Sequence, residues 1–191
     1  LLSFAMLMEN GRRGMFFGKP MPWSASAVEF LRRYHGYYFA WATVFTFWYH
    51  PMVANMGHLS GFLYLLLMML QGSLIFTPIH INRYWKFLQE SLVLVHAVIV
   101  AIYTDNGMWG FFAFGFASVL VTTLVHGLGL SRAMRLMAVG LFVVSLSVAG
   151  IWTDIVDPLR VTRIPFTLYT LALLFALAVH GIQRLRARGP S

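Results

Sequence analysis

Residues 84–104 read YWKFLQESLVLVHAVIVAIYT, and this stretch decides the fold class. The charged and amide side chains Lys86, Gln89 and Glu90 sit in its first two turns, and beyond Ser91 it is apolar except for His96. A helix of this length rises about 30 Å at 1.5 Å per residue, which matches the hydrocarbon thickness of a bilayer. Asn82-Arg83 precedes it and the turn-forming Asp105-Asn106-Gly107 follows it.

Five further runs with the same character flank it, at 34–52, 57–77, 109–129, 134–153 and 164–183. Breakers fall between them: His50-Pro51, Thr77-Pro78, Asp157-Pro158 and Pro165. The expected fold is therefore an all-α, polytopic membrane bundle of six transmembrane helices. Composition agrees. Only 10% of the residues are charged, against roughly 25% in a soluble domain, and the mean hydropathy is +0.73. Little chain remains for a soluble catalytic domain, so any chemistry is expected inside the bundle or at its rims.

Residues 1–26 read as an N-terminal segment lying at the membrane interface, 27–184 as the transmembrane domain and 185–191 as a basic cytoplasmic tail. Leu1–Met8 is apolar but too short to span, and no basic stretch precedes it as in a signal peptide. Ser26-Ala-Val-Glu29 has the spacing of a capping box for the first long helix.

The net charge of +8 is distributed by topology. Arg12, Arg13, Lys19, Arg32, Arg33, Arg83, Lys86, Arg132, Arg135, Arg184, Arg186 and Arg188 fall on one side of a six-span arrangement. Arg160 and Arg163 fall on the other, beside Asp105, Asp154 and Asp157. The positive-inside rule then puts both termini in the cytoplasm, and the bacterial cytoplasmic membrane is the expected location. Clusters at the ends of apolar runs suit anionic headgroups, so membrane lipids are the expected partners and nucleic acid is not.

Ionisable groups within spans are costly and direct attention to function. Helical spacing places Asn82, Trp85, Gln89, His96 and Tyr103 on one stripe, with Glu90, Ala97 and Ala101 beside it. Gly115, Ser118, Thr122 and His126 form another, and Ala172, Ala176 and His180 a third. Thr43, Thr46 and His50 line the first run, and Gly57, Gly61, Tyr64, Met68 and Gln71 the second. Glu90, His126 and His180 are expected to meet in the cytoplasmic half, with His80, Asn82 and Arg83 at its mouth.

Three functions follow as expectations. Placed first is a hydrophobic cofactor or lipid-like ligand held by His96, His126, His180 and His50, in the manner of haem b or quinone sites serving electron transfer. Gln71, Gln89, Asn82 and Arg83 are the polar groups expected around such a ligand. The second is a small intramembrane enzyme acting on a lipid or isoprenoid, with Glu90 as general acid and His126 or His96 as base. The competing role for Glu90 is a structural carboxyl bonded to Gln71 or Gln89. The third is a non-catalytic sensor or accessory subunit working with other membrane subunits or as a homo-oligomer. Gly57-x-x-x-Gly61 supplies a helix contact within or between chains.

Several sites are excluded. The chain has no cysteine, hence no disulfide, thiolate metal site or iron–sulfur cluster. No zinc-protease spacing, di-iron pair, P-loop or dinucleotide fingerprint occurs, and no metal beyond a haem iron is expected. Lys19 and Lys86 are the only lysines, which leaves the last run without a retinal attachment point.

Overall fold

The computed structural model describes residues 1–49, 54–152 and 156–187. All regular secondary structure among them is helical. Two short helices, α1 (Leu2–Met8) and α2 (Asn10–Arg13), open the chain. The long helices are α3 (Ala25–Tyr49), α4 (Met56–Ser73), α5 (Arg83–Tyr103), α6 (Trp109–Val119), α8 (Arg132–Trp152) and α10 (Arg163–Ala187). A π-helical turn at Leu120–Leu124 continues α6 into the short α7 (Val125–Gly127). The short α9 (Pro158–Val161) precedes α10.

Among the described residues four helical stretches are long and apolar enough to cross a membrane: Arg83–Tyr103, Trp109–Gly127, Arg132–Ile151 and Pro158–Arg186. They correspond to the last four apolar runs of the sequence. The described parts of the first two runs are also helical, and the helices that carry them include more polar residues: Glu29, Arg32, Arg33 and His35 in α3, and His58 and Gln71 in α4. Helix α3 begins at Ala25, within a residue or two of the expected capping box and well before the apolar run at 34, so Arg32 and Arg33 lie within it. Ser26 falls inside its first turn.

The helices form a ring in chain order. Helix α3 packs on α4, α4 on α5, α5 on α6 and α6 on α10, and α10 closes back on α3. Small residues permit these approaches. Gly57, Gly61 and Leu65 form the buried stripe of α4. A Cβ on Gly57 would stand 3.5 Å from Val100 of α5, so the Gly-x-x-x-Gly motif works within the chain. Gly115 of α6 admits Ile164, whose Cδ1 would lie 2.5 Å from an added Cβ. Helix α8 stands outside the ring and contributes no buried residue within its membrane-length stretch.

The N-terminal segment occupies one end of this ring. Met6 and Leu7 of α1 are fully buried with Ala27 and Leu31 of α3, Val119 of α6, and Ala172 and Ala176 of α10. Three helices, α3, α6 and α10, thus close around α1. Arg32 of α3 donates to the Met8 carbonyl (Nη2, 2.7 Å) and so caps the end of α1. Asn10 ties down the loop that follows. Its Nδ2 donates to the Met21 carbonyl (3.0 Å) and to Ser24 Oγ (2.8 Å), and its Oδ1 accepts from the Met21 amide (2.9 Å).

The loop makes its tightest bend at Gly14, where φ is +73° and an added Cβ would meet the Gly18 carbonyl carbon at 2.4 Å. Gly14→Ala should therefore destabilise the fold by about 1–3 kcal/mol, since backbone on both sides is fixed. Gly11 is helical, with nothing within 4 Å of an added Cβ. Gly11→Ala should be neutral or stabilising by up to about 1 kcal/mol. Thermal unfolding of the two variants in detergent checks the contrast, and equal melting points would contradict it.

Candidate functional site

Helical spacing explains how the site is assembled. Lys86 and Glu90 lie four residues apart on one face of α5, and Glu9 and Arg13 lie four apart across α2. The two pairs have complementary signs in the same order. Lys86 Nζ donates to Glu9 Oε1, and Arg13 Nη1 donates to both carboxylate oxygens of Glu90 at 2.9 Å. Arg12 also donates to Glu9, through Nε, and places Nη1 3.1 Å from the Gly127 carbonyl. Arg83 Nη1 reaches the Leu128 carbonyl at 3.2 Å. The C-terminal carbonyls of the α6–α7 helix therefore receive two arginines, which also suits the negative end of its dipole.

Arg13 is the largest fully buried side chain of the protein among the described residues. Its charge is balanced by Glu90, yet only Nη1 is engaged. Nε and Nη2 are buried and have no hydrogen-bond partner among the described residues. Glu9 is a buried carboxyl outside the spans. Burial alone would raise its pKa, but Lys86 and Arg12 outweigh that and hold it below the ordinary carboxylate value.

Next to these charges the π-helical turn redirects a backbone group. The Thr122 carbonyl accepts from the Phe17 amide of the N-terminal loop at 2.8 Å. Tyr169 of α10 donates to the Met15 carbonyl (2.7 Å) and bonds Thr122 Oγ1 (3.0 Å), which joins loop, α6 and α10 at one point. π-turns of this kind often mark functional positions. His126 follows directly. Its ring meets the edge of Phe17 at 5.9 Å, and an added Cβ on Gly18 would stand 3.4 Å from its Nδ1. Both ring nitrogens are buried without a hydrogen bond of normal geometry, and the Val121 carbonyl acts on the ring from outside that geometry.

The other expected site residues are distributed more widely. Glu90 pairs with Arg13, and neither glutamine neutralises it. Gln71 accepts from Trp85 Nε1 and bonds His80, while Gln89 donates to the Leu67 carbonyl at 3.1 Å. Asn82 caps α5 by accepting from the Tyr84 and Trp85 amides. His96 Nδ1 bonds Ser60 Oγ of α4 at 3.0 Å, so it belongs to a separate layer farther along α5. His180 lies on the α10 stripe below the buried Ala172 and Ala176. Among the described residues no hydrogen bond or ring contact joins it to His126, and no three side chains are grouped as a metal site. His50 falls outside the described residues.

Arg13, Glu9, Lys86 and Tyr169 are the members that the expected site did not contain. Comparison of the chain with protein-family models, with curated proteins and with solved structures gave no match.

Breaking the buried pair should be costly. Glu90→Gln leaves the Arg13 charge uncompensated and should reduce stability by about 3–5 kcal/mol, whereas Arg13→Met combined with Glu90→Leu should recover most of that loss. Unfolding of the two singles and the double gives the coupling, and additive losses would contradict a direct ion pair.

The lowered pKa of Glu9 fixes a pH dependence. Its contribution is complete above its ordinary value near 4.5 and is lost as pH falls through the lower folded value. Wild-type stability should therefore fall below about pH 4.5, and Glu9→Gln should lose that part of the slope. Melting curves between pH 3 and 7 measure it, and parallel profiles for the two proteins would refute the assignment.

Proposed function

We propose that the chain is a six-span membrane protein with both termini cytoplasmic, and that its cytoplasmic-half cluster binds the polar head of a lipid-like ligand. The topology rests on 12 of the 14 basic residues falling on one side of such an arrangement. The observation that carries the ligand reading is the state of Arg13: a guanidinium at 1% exposure, in a ring of apolar helices, with Nε and Nη2 not engaged. Buried polar groups are nearly always partnered, and exceptions mark a function or a bound species. Arg13 and His126 are the recognition groups in this reading, and Glu90 sets the position of Arg13.

His126 supports a second reading. A buried imidazole without a hydrogen bond of normal geometry among the described residues is also what haem b ligation or a hydrogen bond to a quinone would use, with electron transfer as the service. The acid–base enzyme has weaker support, because Arg13 takes both oxygens of Glu90. A carboxylate held in this way serves better as an anchor than as a proton donor to substrate.

Purified protein should carry a co-purifying lipid-like molecule, identifiable by mass spectrometry of an organic extract, and His126→Leu should deplete it several-fold. An ultraviolet–visible spectrum separates the readings. A Soret band that shifts on dithionite reduction would establish the haem alternative, and a bare protein with a featureless spectrum would refute both.

A further inference from the structure

Two cationic side chains at this site, Arg13 and Arg135, hold unengaged donors, and the His126 ring lies beside them. Among the described residues Arg13 holds Nε and Nη2 unpartnered, Arg135 at the start of α8 has a buried Nε without a partner, and the His126 ring makes no hydrogen bond of normal geometry, with the Val121 carbonyl acting on it from outside that geometry. They belong to one neighbourhood. Arg13 packs on Gly127, the residue after His126, where an added Cβ would come within 2.9 Å of Arg13 Cβ. Arg135 is the charged residue that acts on His126, and α8 touches α7 directly. Phe17 and Gly18 cover His126 from the loop side.

The charge balance points the same way. Arg12 and Lys86 share the single carboxylate of Glu9, and Arg13 takes Glu90, so three cations meet two carboxylates. Arg135 adds a fourth cation, and no ion pair engages it among the described residues. The cations thus outnumber the carboxylates around Arg13, a fully buried guanidinium, and a local surplus of positive charge favours an anion. The number of donors narrows the class further. A carbonyl oxygen, as on a quinone, accepts two hydrogen bonds, while Arg13 alone presents three free N–H hydrogens on Nε and Nη2. Phosphate and carboxylate groups carry several acceptor oxygens and suit guanidinium edges.

We propose that the head recognised at this site is an anion of the phosphate or carboxylate class, held by Arg13, His126 and Arg135 beneath the N-terminal loop. This rests on the ligand-binding reading above and specifies its chemistry. The same chemistry is offered by an anionic phospholipid headgroup and by a free oxyanion such as inorganic phosphate.

The test uses the full chain, delipidated in neutral detergent. Melting is followed with inorganic phosphate against chloride at equal ionic strength, and in nanodiscs of phosphatidylglycerol against phosphatidylcholine. Stabilisation by phosphate identifies a free oxyanion site, and stabilisation by phosphatidylglycerol alone identifies a lipid headgroup site. In either case His126→Gln and Arg135→Gln should weaken binding about tenfold each, as loss of a charge-assisted contact does, while Arg160→Gln on the other side should not. Arg135→Lys, which keeps the charge, should retain part of the effect and controls for misfolding. Equal melting in all four conditions, or wild-type affinity in both glutamine variants, would overturn the proposal. If a neutral lipid co-purifies and His126→Gln releases it, the anion proposal fails and the ligand-binding reading stands. If no ligand of either kind is bound, both fail.

Discussion

The ladder of opposite charges between the N-terminal segment and α5 is the constraint on which this end of the protein depends. Glu9 meets Lys86 and Arg13 meets Glu90, and each partner is four residues from the next on its own chain segment. Neither rung would be favourable alone, because a lone charge inside an apolar helical ring is strongly disfavoured. Together they neutralise most of the charge and fix the register of the segment against α5. The register then determines the rest. Met6 and Leu7 face Leu31 and Ala176, Met15 offers its carbonyl to Tyr169, and Phe17 reaches the π-helical turn.

The same ladder accounts for the unusual state of Arg13. Glu90 approaches it through Nη1 only, which leaves Nε and Nη2 without a partner among the described residues, with Tyr169 close enough to feel the Arg13 charge. A purely structural ion pair would gain from a two-point match between both edges of the groups. The one-sided geometry lets Glu90 hold Arg13 in position while Nε and Nη2 stay unengaged among the described residues, as the proposed recognition requires. The α6–α7 end contributes a fixed frame for this, since its last carbonyls are capped by Arg12 and Arg83 and do not compete for Arg13.

Much of the fold is readable in the sequence because apolar runs and breakers are local signals. The helices at Arg83–Tyr103, Arg132–Trp152 and Arg163–Ala187 start and stop within a few residues of their runs. The small-residue stripes Gly57/Gly61 and Ala172/Ala176 face the interior as their spacing implies. The site is only half readable. Glu90 and His126 stand out as ionisable groups in apolar runs, but their surroundings depend on a segment that looks interfacial. Arg12 and Arg13 resemble ordinary topology-setting arginines, and nothing local distinguishes them. The one available signal is the matched spacing of Glu9/Arg13 and Lys86/Glu90, which is visible only if distant segments are compared for complementary charge. Tyr103 shows the limit of stripe reasoning, as it lies at the helix end and is exposed. The π-turn has no sequence signature here, and it changes which way Thr122 presents its carbonyl.

The ladder also imposes a schedule on biosynthesis. Its two halves are separated by 77 residues of chain, so Glu9 and Arg13 emerge well before Lys86 and Glu90 exist. Tyr169 and the small stripe of α10, which complete the seat of the N-terminal segment, emerge later still. Until then Glu9 and Arg13 must wait outside the hydrocarbon, with their charges hydrated. The segment that carries Glu9 and Arg13 is thus among the last parts to dock, and ring closure by α10 is the event that allows it.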